Sequence, residues 1–121
     1  MIVDDDEFLL DMYALKFKES GFAVEVARSG EEALTQMRQG LNPLVILLDI
    51  VMPNIDGLEF LRVVKKENLL GDSMVIVLSN LGQKEDIERG LKLGAQDYIV
   101  KAHFTPSEVV KKVLTLLERK K

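Results

Sequence analysis

Leu44-Val45-Ile46-Leu47-Leu48-Asp49, followed by Ile50-Val51-Met52-Pro53-Asn54-Ile55-Asp56-Gly57, is an unbroken apolar run that ends on a carboxylate. A run this short, with Asn42-Pro43 before it and Pro53 and Gly57 after it, reads as a strand buried on both faces. Such strands seldom finish on a charge. An unpaired buried carboxylate is costly, so Asp49 must meet solvent at the strand end or find partners there.

On either side, short apolar runs alternate with amphipathic stretches. Met1-Ile2-Val3 is a first strand that runs into Asp4-Asp5-Asp6, and Glu7 to Glu19 is a helix with Leu10, Tyr13, Ala14 and Phe17 on one face and Gly21 as its stop. Asp6 caps that helix. Phe22 to Ala27 is the second strand. Ser29 and Glu32 form a capping box for a helix that turns Ala33, Leu34 and Met37 inward and ends at Gly40. After the organising strand, Asp56-Gly57 makes a turn into a third helix, with Phe60, Leu61 and Val64 buried, that runs to about Asn68 before Gly71.

Met74 to Ser79 is strand four, Lys84 to Leu93 a weak and mobile helix with Gly90 inside it, and Gln96 to Lys101 strand five. Thr105-Pro106-Ser107-Glu108 opens the last helix, which buries Val109, Val113 and Leu117. Its Lys111, Lys112, Arg119, Lys120 and Lys121 read as a solvated face that complements the helix C-terminus. Five strands, each followed by a helix, require a parallel sheet covered on both faces, and ligands of such sheets sit beyond the carboxyl ends of the strands.

Bulk properties narrow the function. With 121 residues the chain is one domain, 1–121, able to bury roughly two thirds of its unfolded surface. It has no cysteine, so disulfides and thiolate metal sites are excluded. No stretch has the length of a membrane span and no signal peptide opens the chain, so the expected location is cytoplasmic, without a membrane partner. A net charge of -4 supplies no basic field for direct nucleic-acid binding.

The strand ends carry the chemistry: Asp4 and Asp5 after strand one, Asp49 after strand three, Ser79 after strand four and Lys101 after strand five. Strand two ends in Ala27-Arg28 and therefore belongs at an edge. Neighbouring strands lie about 4.8 Å apart, so these ends converge on a patch the size of one anion and one metal ion. Three carboxylates in that patch repel one another unless a cation joins them, and an all-oxygen donor set fits Mg²⁺. Lys101 and the Ser79 hydroxyl then suit a phosphoryl group, with Asp49 as its nucleophile.

Val3-Asp4-Asp5-Asp6, Leu48-Asp49-Ile50-Val51-Met52-Pro53-Asn54-Ile55-Asp56-Gly57, Ser79 and Tyr98-Ile99-Val100-Lys101 together resemble the receiver domain of two-component response regulators, over essentially the whole chain. The D-x-x-M-P-x-x-D-G pattern is its most specific piece. The resemblance implies a flavodoxin-like three-layer α/β fold with a five-stranded parallel sheet of order 2-1-3-4-5 and five helices. It implies that Asp49 accepts a phosphoryl group from the phosphohistidine of a sensor histidine kinase or phosphotransfer protein, with Mg²⁺ held by Asp4, Asp5, Asp49 and the Val51 main-chain carbonyl. Ser79 matches the switch hydroxyl, Lys101 the motif lysine and Tyr98 the aromatic that turns inward when the hydroxyl moves. The chain would then be a signalling receiver, promoting its own phosphotransfer and slow dephosphorylation, as a monomer or weak phosphorylation-dependent dimer read by a downstream protein.

Departures from the pattern carry their own expectations. Ala102 follows Lys101 where the family usually carries a proline after a cis bond; a cis Lys101-Ala102 bond, at about 3 kcal/mol, is weighed against a trans bond that shifts Lys101, and cis is the expectation. His103 reads as a surface loop residue. Val51 and Leu81, two positions beyond the acceptor and the hydroxyl, cannot orient water and are expected to shield an acyl phosphate. Met1 to Val3 is short for a central strand, which fits a shortened chain or a weakly anchored strand, and the end at Lys121 fits a stand-alone receiver or one separated from its effector. Rival functions are a receiver-like scaffold that works without phosphorylation, an aspartate-nucleophile phosphatase, which wants an acid where Val51 stands, and a flavin carrier, which wants a hydroxyl- and glycine-rich loop where the aspartates stand.

Overall fold

The computed structural model describes residues 1–120. Its elements alternate from β1 (Ile2–Val3) and α1 (Glu7–Glu19) through β2 (Val26–Ala27), α2 (Gly30–Arg38), β3 (Val45–Leu48) and α3 (Gly57–Lys66) to β4 (Met74–Ser79), α4 (Lys84–Lys92), β5 (Asp97–Val100) and α5 (Pro106–Lys120). All strand pairs are parallel, in the order β2-β1-β3-β4-β5. The fold is flavodoxin-like, and β2 lies at the edge, as its chemically empty end suggested.

Alternation along each strand sorts the core into two layers. Ile46, Leu48, Val75, Val77 and Tyr98 face α2, α3 and α4 with Phe60 and Leu61, whereas Leu47, Ile76, Leu78 and Ile99 face α1 and α5 with Leu10, Phe17 and Val109. β3 is buried along its whole length, but it begins one residue later than the apolar run, and Leu44 is 62% exposed. The second and fifth strands are also shorter than the apolar pattern: Phe22 to Val24 precedes the ladder, which the Glu25 carbonyl opens by accepting from Ile2 N, and Lys101 leaves β5 to open a single 3-10 turn with Ala102 and His103. An edge strand has one neighbour to specify its length, so hydrophobicity alone overstates it.

Local signals set the helix starts. Asp6 accepts from Leu9 N at 3.1 Å, Ser29 from Glu32 N at 3.0 Å and Asp56 from Glu59 N at 2.8 Å, each satisfying an otherwise orphaned donor. Thr105 and Glu108 form a reciprocal box. α2 ends at Arg38, two residues before Gly40, and α3 at Lys66, before Asn68. Leu117 on α5 is only half-buried, and its basic face is partly engaged: Lys112 pairs with Asp97 at 3.6 Å and lies 5.6 Å from the Phe104 ring centroid, and Lys120 donates to the Asp72 carbonyl. Lys121 lies outside the described residues.

Among the described residues no peptide bond is cis, so Lys101-Ala102 is trans, contrary to the sequence expectation. Without proline the cis form has nothing to offset its cost of about 3 kcal/mol. The turn into α3 is tighter than a capping signal alone requires. Gly57 N donates to Ile50 O at 2.8 Å, and a Cβ on Gly57 would lie 2.2 Å from Asp49 O and 2.8 Å from Ile50 Cα. Gly57→Ala is therefore expected to destabilise the protein by about 1–3 kcal/mol or more, through displaced backbone beside Asp49. Urea unfolding measures this, and an unchanged midpoint would refute the close-approach explanation.

Candidate functional site

The acids reach one place because their strands are neighbours in register. Val3 pairs with Leu48, so the next residues, Asp4 and Asp49, leave adjacent strand tips side by side, and Asp49 N donates to Val3 O at 3.0 Å. β4 and β5 continue the row, with Ser79 opposite Val100 and Lys101 directly after it. Asp4 and Asp49 are buried, as is Ser79, while Asp5 is exposed.

Lys101 ties the row together. Its Nζ donates to Asp4 Oδ2 at 2.7 Å and to Asp49 Oδ2 at 3.4 Å, with all three side chains less than 10% exposed. The ammonium thus lies against the acids, closer to Asp4 than to Asp49. Asp4 Oδ1 also accepts from Asp6 N at 3.0 Å, and Asp49 Oδ1 from Val51 N at 3.3 Å. These bonds fix both carboxylates without using every lone pair.

Burial pushes the Asp49 carboxyl up to about 6, with the negative charge of Asp4 adding to the rise and the Lys101 charge and the Val51 hydrogen bond opposing it. For Lys101, burial works against the ammonium, but the Asp4 hydrogen bond and the two carboxylate charges outweigh it and raise the pKa above the ordinary lysine value.

Asp4, Asp5 and Asp49 each offer an oxygen, all within 4.8 Å of one another. In an octahedral Mg²⁺ site trans oxygens stand about 4.2 Å apart, so a slight closure suffices, and an all-oxygen set suits that hard ion. The residues fit Mg²⁺.

Ser79 Oγ accepts from Leu81 N at 3.3 Å, and the Tyr98 hydroxyl donates to the Leu81 carbonyl at 2.5 Å. Tyr98 is thus already turned inward at 9% exposure, where the sequence reading reserved that position for a later step. Burial raises its pKa. Val51 and Leu81 are both partly solvent-facing and border a cleft of about 310 Å³ with Met52, Asp86 and Arg89. His103 is exposed on the 3-10 turn, as expected of a loop residue. A separate apolar hollow of about 230 Å³, among Met1, Phe17, Phe22 and Leu44, lies away from every one of these groups.

Sequence reasoning missed Tyr13. This phenol of α1 is 2% exposed and close enough to feel the charges of Lys101, Asp4 and Asp49, although burial dominates its raised pKa. Its helical spacing marked it only as core, and nothing in spacing distinguishes a core tyrosine that ends beneath a charged pocket.

A covered parallel sheet with paired acids, a lysine and a hydroxyl at its carboxyl edge defines a class, and comparison with known proteins identifies it. Residues 1–114 match the response regulator receiver domain family. The chain belongs to that family, whose members serve two-component systems. It is 33% identical over 119 residues to the phosphate regulon transcriptional regulatory protein PhoB of Klebsiella pneumoniae, covering 98% of this chain and 51% of PhoB. The chain thus spans about half the length of the curated relatives it matches. Among solved structures, the receiver domain of Francisella response regulator 1452 superposes with a TM-score of 0.86 at 36% identity, covering 99% of this chain and 96% of that one. Chemotaxis protein CheY4 of Vibrio cholerae gives 0.85 at 27% identity, covering 94% and 93%.

The raised Asp49 pKa has a signed consequence for stability. The folded protein holds a proton on Asp49 that the unfolded chain releases near 3.8, so this group's contribution is lost as pH rises from about 4 to about 6. In metal-free buffer at pH 8, Asp49→Asn is expected to be more stable than wild type by on the order of 1–3 kcal/mol, and the gap should shrink towards pH 4. Denaturation at the two pH values measures it; an Asp49→Asn protein less stable at pH 8 would contradict the burial argument.

Proposed function

We propose that this chain is a phosphoryl-accepting receiver, with Asp49 taking a phosphoryl group from the phosphohistidine of a sensor histidine kinase or phosphotransfer protein. The observation that carries this reading is the Lys101 ammonium reaching both Asp4 and Asp49, at 2.7 and 3.4 Å, beside three carboxylates within 4.8 Å. An Asp49 oxygen attacks phosphorus as the P–N bond breaks, and the donor imidazole, already protonated on its other ring nitrogen, keeps that electron pair and leaves as a neutral ring. With a pKa of about 6, Asp49 is mostly ionised at neutral pH and needs no general base.

The other residues have separable roles. Lys101 holds the two carboxylates in place and neutralises phosphoryl oxygens during transfer, and Asp4, Asp5, Asp49 and the Val51 carbonyl are the ligands for Mg²⁺. When bound, that ion supplies positive charge to the phosphoryl oxygens. Ser79 is the switch hydroxyl, joined to Tyr98 through Leu81, so the face of α4, β5 and α5 is the surface a downstream protein reads. The whole of 1–121 is one such unit, working in the cytoplasm as a monomer or weak phosphorylation-dependent dimer. Among the described residues no helix is long and apolar enough to cross a membrane.

Incubation with acetyl phosphate and Mg²⁺, followed by intact-protein mass spectrometry, tests the reading. One phosphoryl group is expected on wild type and none on Asp49→Asn; equal labelling of both would overturn it. The solvent-facing Val51 and Leu81 offer no hydrogen bond from their side chains to an attacking water, so decay of the phosphoryl group is expected to be slow and to quicken several-fold in Val51→Asn/Leu81→Gln. An unchanged decay rate would remove the shielding argument.

A further inference from the structure

α4 is the helix that the core holds least. Gly90 is its only buried residue, Leu91 is 43% exposed, Ile87 is half-buried, and Gln83 at its start makes no side-chain capping bond. A glycine inside a helix is less favourable than alanine, so its presence at the point where α4 meets the sheet needs a physical reason. The Tyr98 ring supplies one. A Cβ built on Gly90 would lie 3.2 Å from Tyr98 Cδ2, 3.4 Å from Cε2 and 3.6 Å from Val77 Cγ2.

The ring has little freedom to recede from such a methyl group. Its backbone is paired with Val77 in the β4–β5 ladder, and its hydroxyl is bonded to the Leu81 carbonyl. An added methyl must therefore displace α4 or the ring by a few tenths of an ångström, against the seat the ring now occupies. Leu81 in turn donates its N–H to Ser79, so a single missing side chain on α4 is linked through Tyr98 and Leu81 to the hydroxyl beside the acidic pocket.

We infer that Gly90 is a positioning residue for the switch: by leaving space against β5, it opens the inward seat to Tyr98 and sets the balance between inward and outward ring positions. The inference rests on the reading of Ser79 and Tyr98 as switch residues. Gly90 weakens α4 as a helix and strengthens the seat of Tyr98. The face formed by α4 and β5 is thereby tuned by packing as well as by phosphorylation at Asp49.

Fluorine NMR on the full chain carrying 3-fluorotyrosine tests this directly, because Tyr13 and Tyr98 are its only tyrosines. In Gly90→Ala the Tyr98 resonance is expected to move towards that of free 3-fluorotyrosine while Tyr13 stays in place, and Mg²⁺ with beryllofluoride should draw it back. Urea unfolding of Gly90→Ala, Tyr98→Leu and the double variant supplies a second readout. Gly90→Ala should lower the midpoint or leave it unchanged when Tyr98 is present and raise it when Leu replaces the ring. A Tyr98 resonance unmoved in Gly90→Ala, with the midpoint raised equally in both backgrounds, would overturn the inference. A wild type whose resonances ignore Mg²⁺ and beryllofluoride would instead count against the phosphoryl reading, while the metal-free fluorine shift and the unfolding cycle still decide the role of Gly90.

Discussion

The Lys101 ammonium between Asp4 and Asp49 is the interaction on which this structure turns. Two carboxylates on adjacent strand tips, both buried, repel strongly in a poorly solvated site, and either would be expensive there alone. One cation from the end of β5 serves both. Its balance is incomplete, because burial still leaves Asp49 with a pKa of about 6. One ammonium against two buried carboxylates leaves the pocket net negative, and the exposed Asp5 adds a third oxygen on the open side.

The scaffold serves this arrangement by bringing backbone very close to Asp49. β3 delivers Asp49 from a fully buried strand, and the chain then doubles back so that Gly57 bonds to Ile50 and leaves no room for a side chain against the Asp49 carbonyl. Asp56 caps the helix that begins there. The D-x-x-M-P-x-x-D-G stretch thus joins Asp49, a turn and a helix start in one rigid piece. Rigidity of this kind positions a nucleophile more accurately than a free loop would. On the opposite side of the pocket the contacts are looser, since α4 rests on Gly90 and Tyr98 rather than on a broad apolar face.

Much of this was legible in the sequence because period, turn chemistry and strand-end charge agreed with one another. β4 and α1 have the bounds their apolar patterns indicate, and Asp4, Asp49, Ser79 and Lys101 meet because residues ending neighbouring strands have nowhere else to go. Other features depended on neighbours that no local pattern encodes. The true length of β2 is set by its single partner, the trans bond at Ala102 by the lack of a proline, and the engagement of Lys112 by Asp97 and Phe104. The contact of Lys101 with Asp4 rather than chiefly with Asp49 follows from side-chain reach in three dimensions. So does the inward ring of Tyr98, which required knowing that Gly90 lies against it.

The relatives that this chain matches are about twice its length, so the receiver unit is the part of their design that it shares. A Mg²⁺ titration followed by two-dimensional amide NMR tests most directly whether the three acids form one cation site held ready by Lys101. Saturable shifts should concentrate at Asp4, Asp5, Asp49 and Val51 and disappear in Asp49→Asn. Weak shifts scattered over exposed acids such as Glu19 and Glu85, and the same in both proteins, would contradict it.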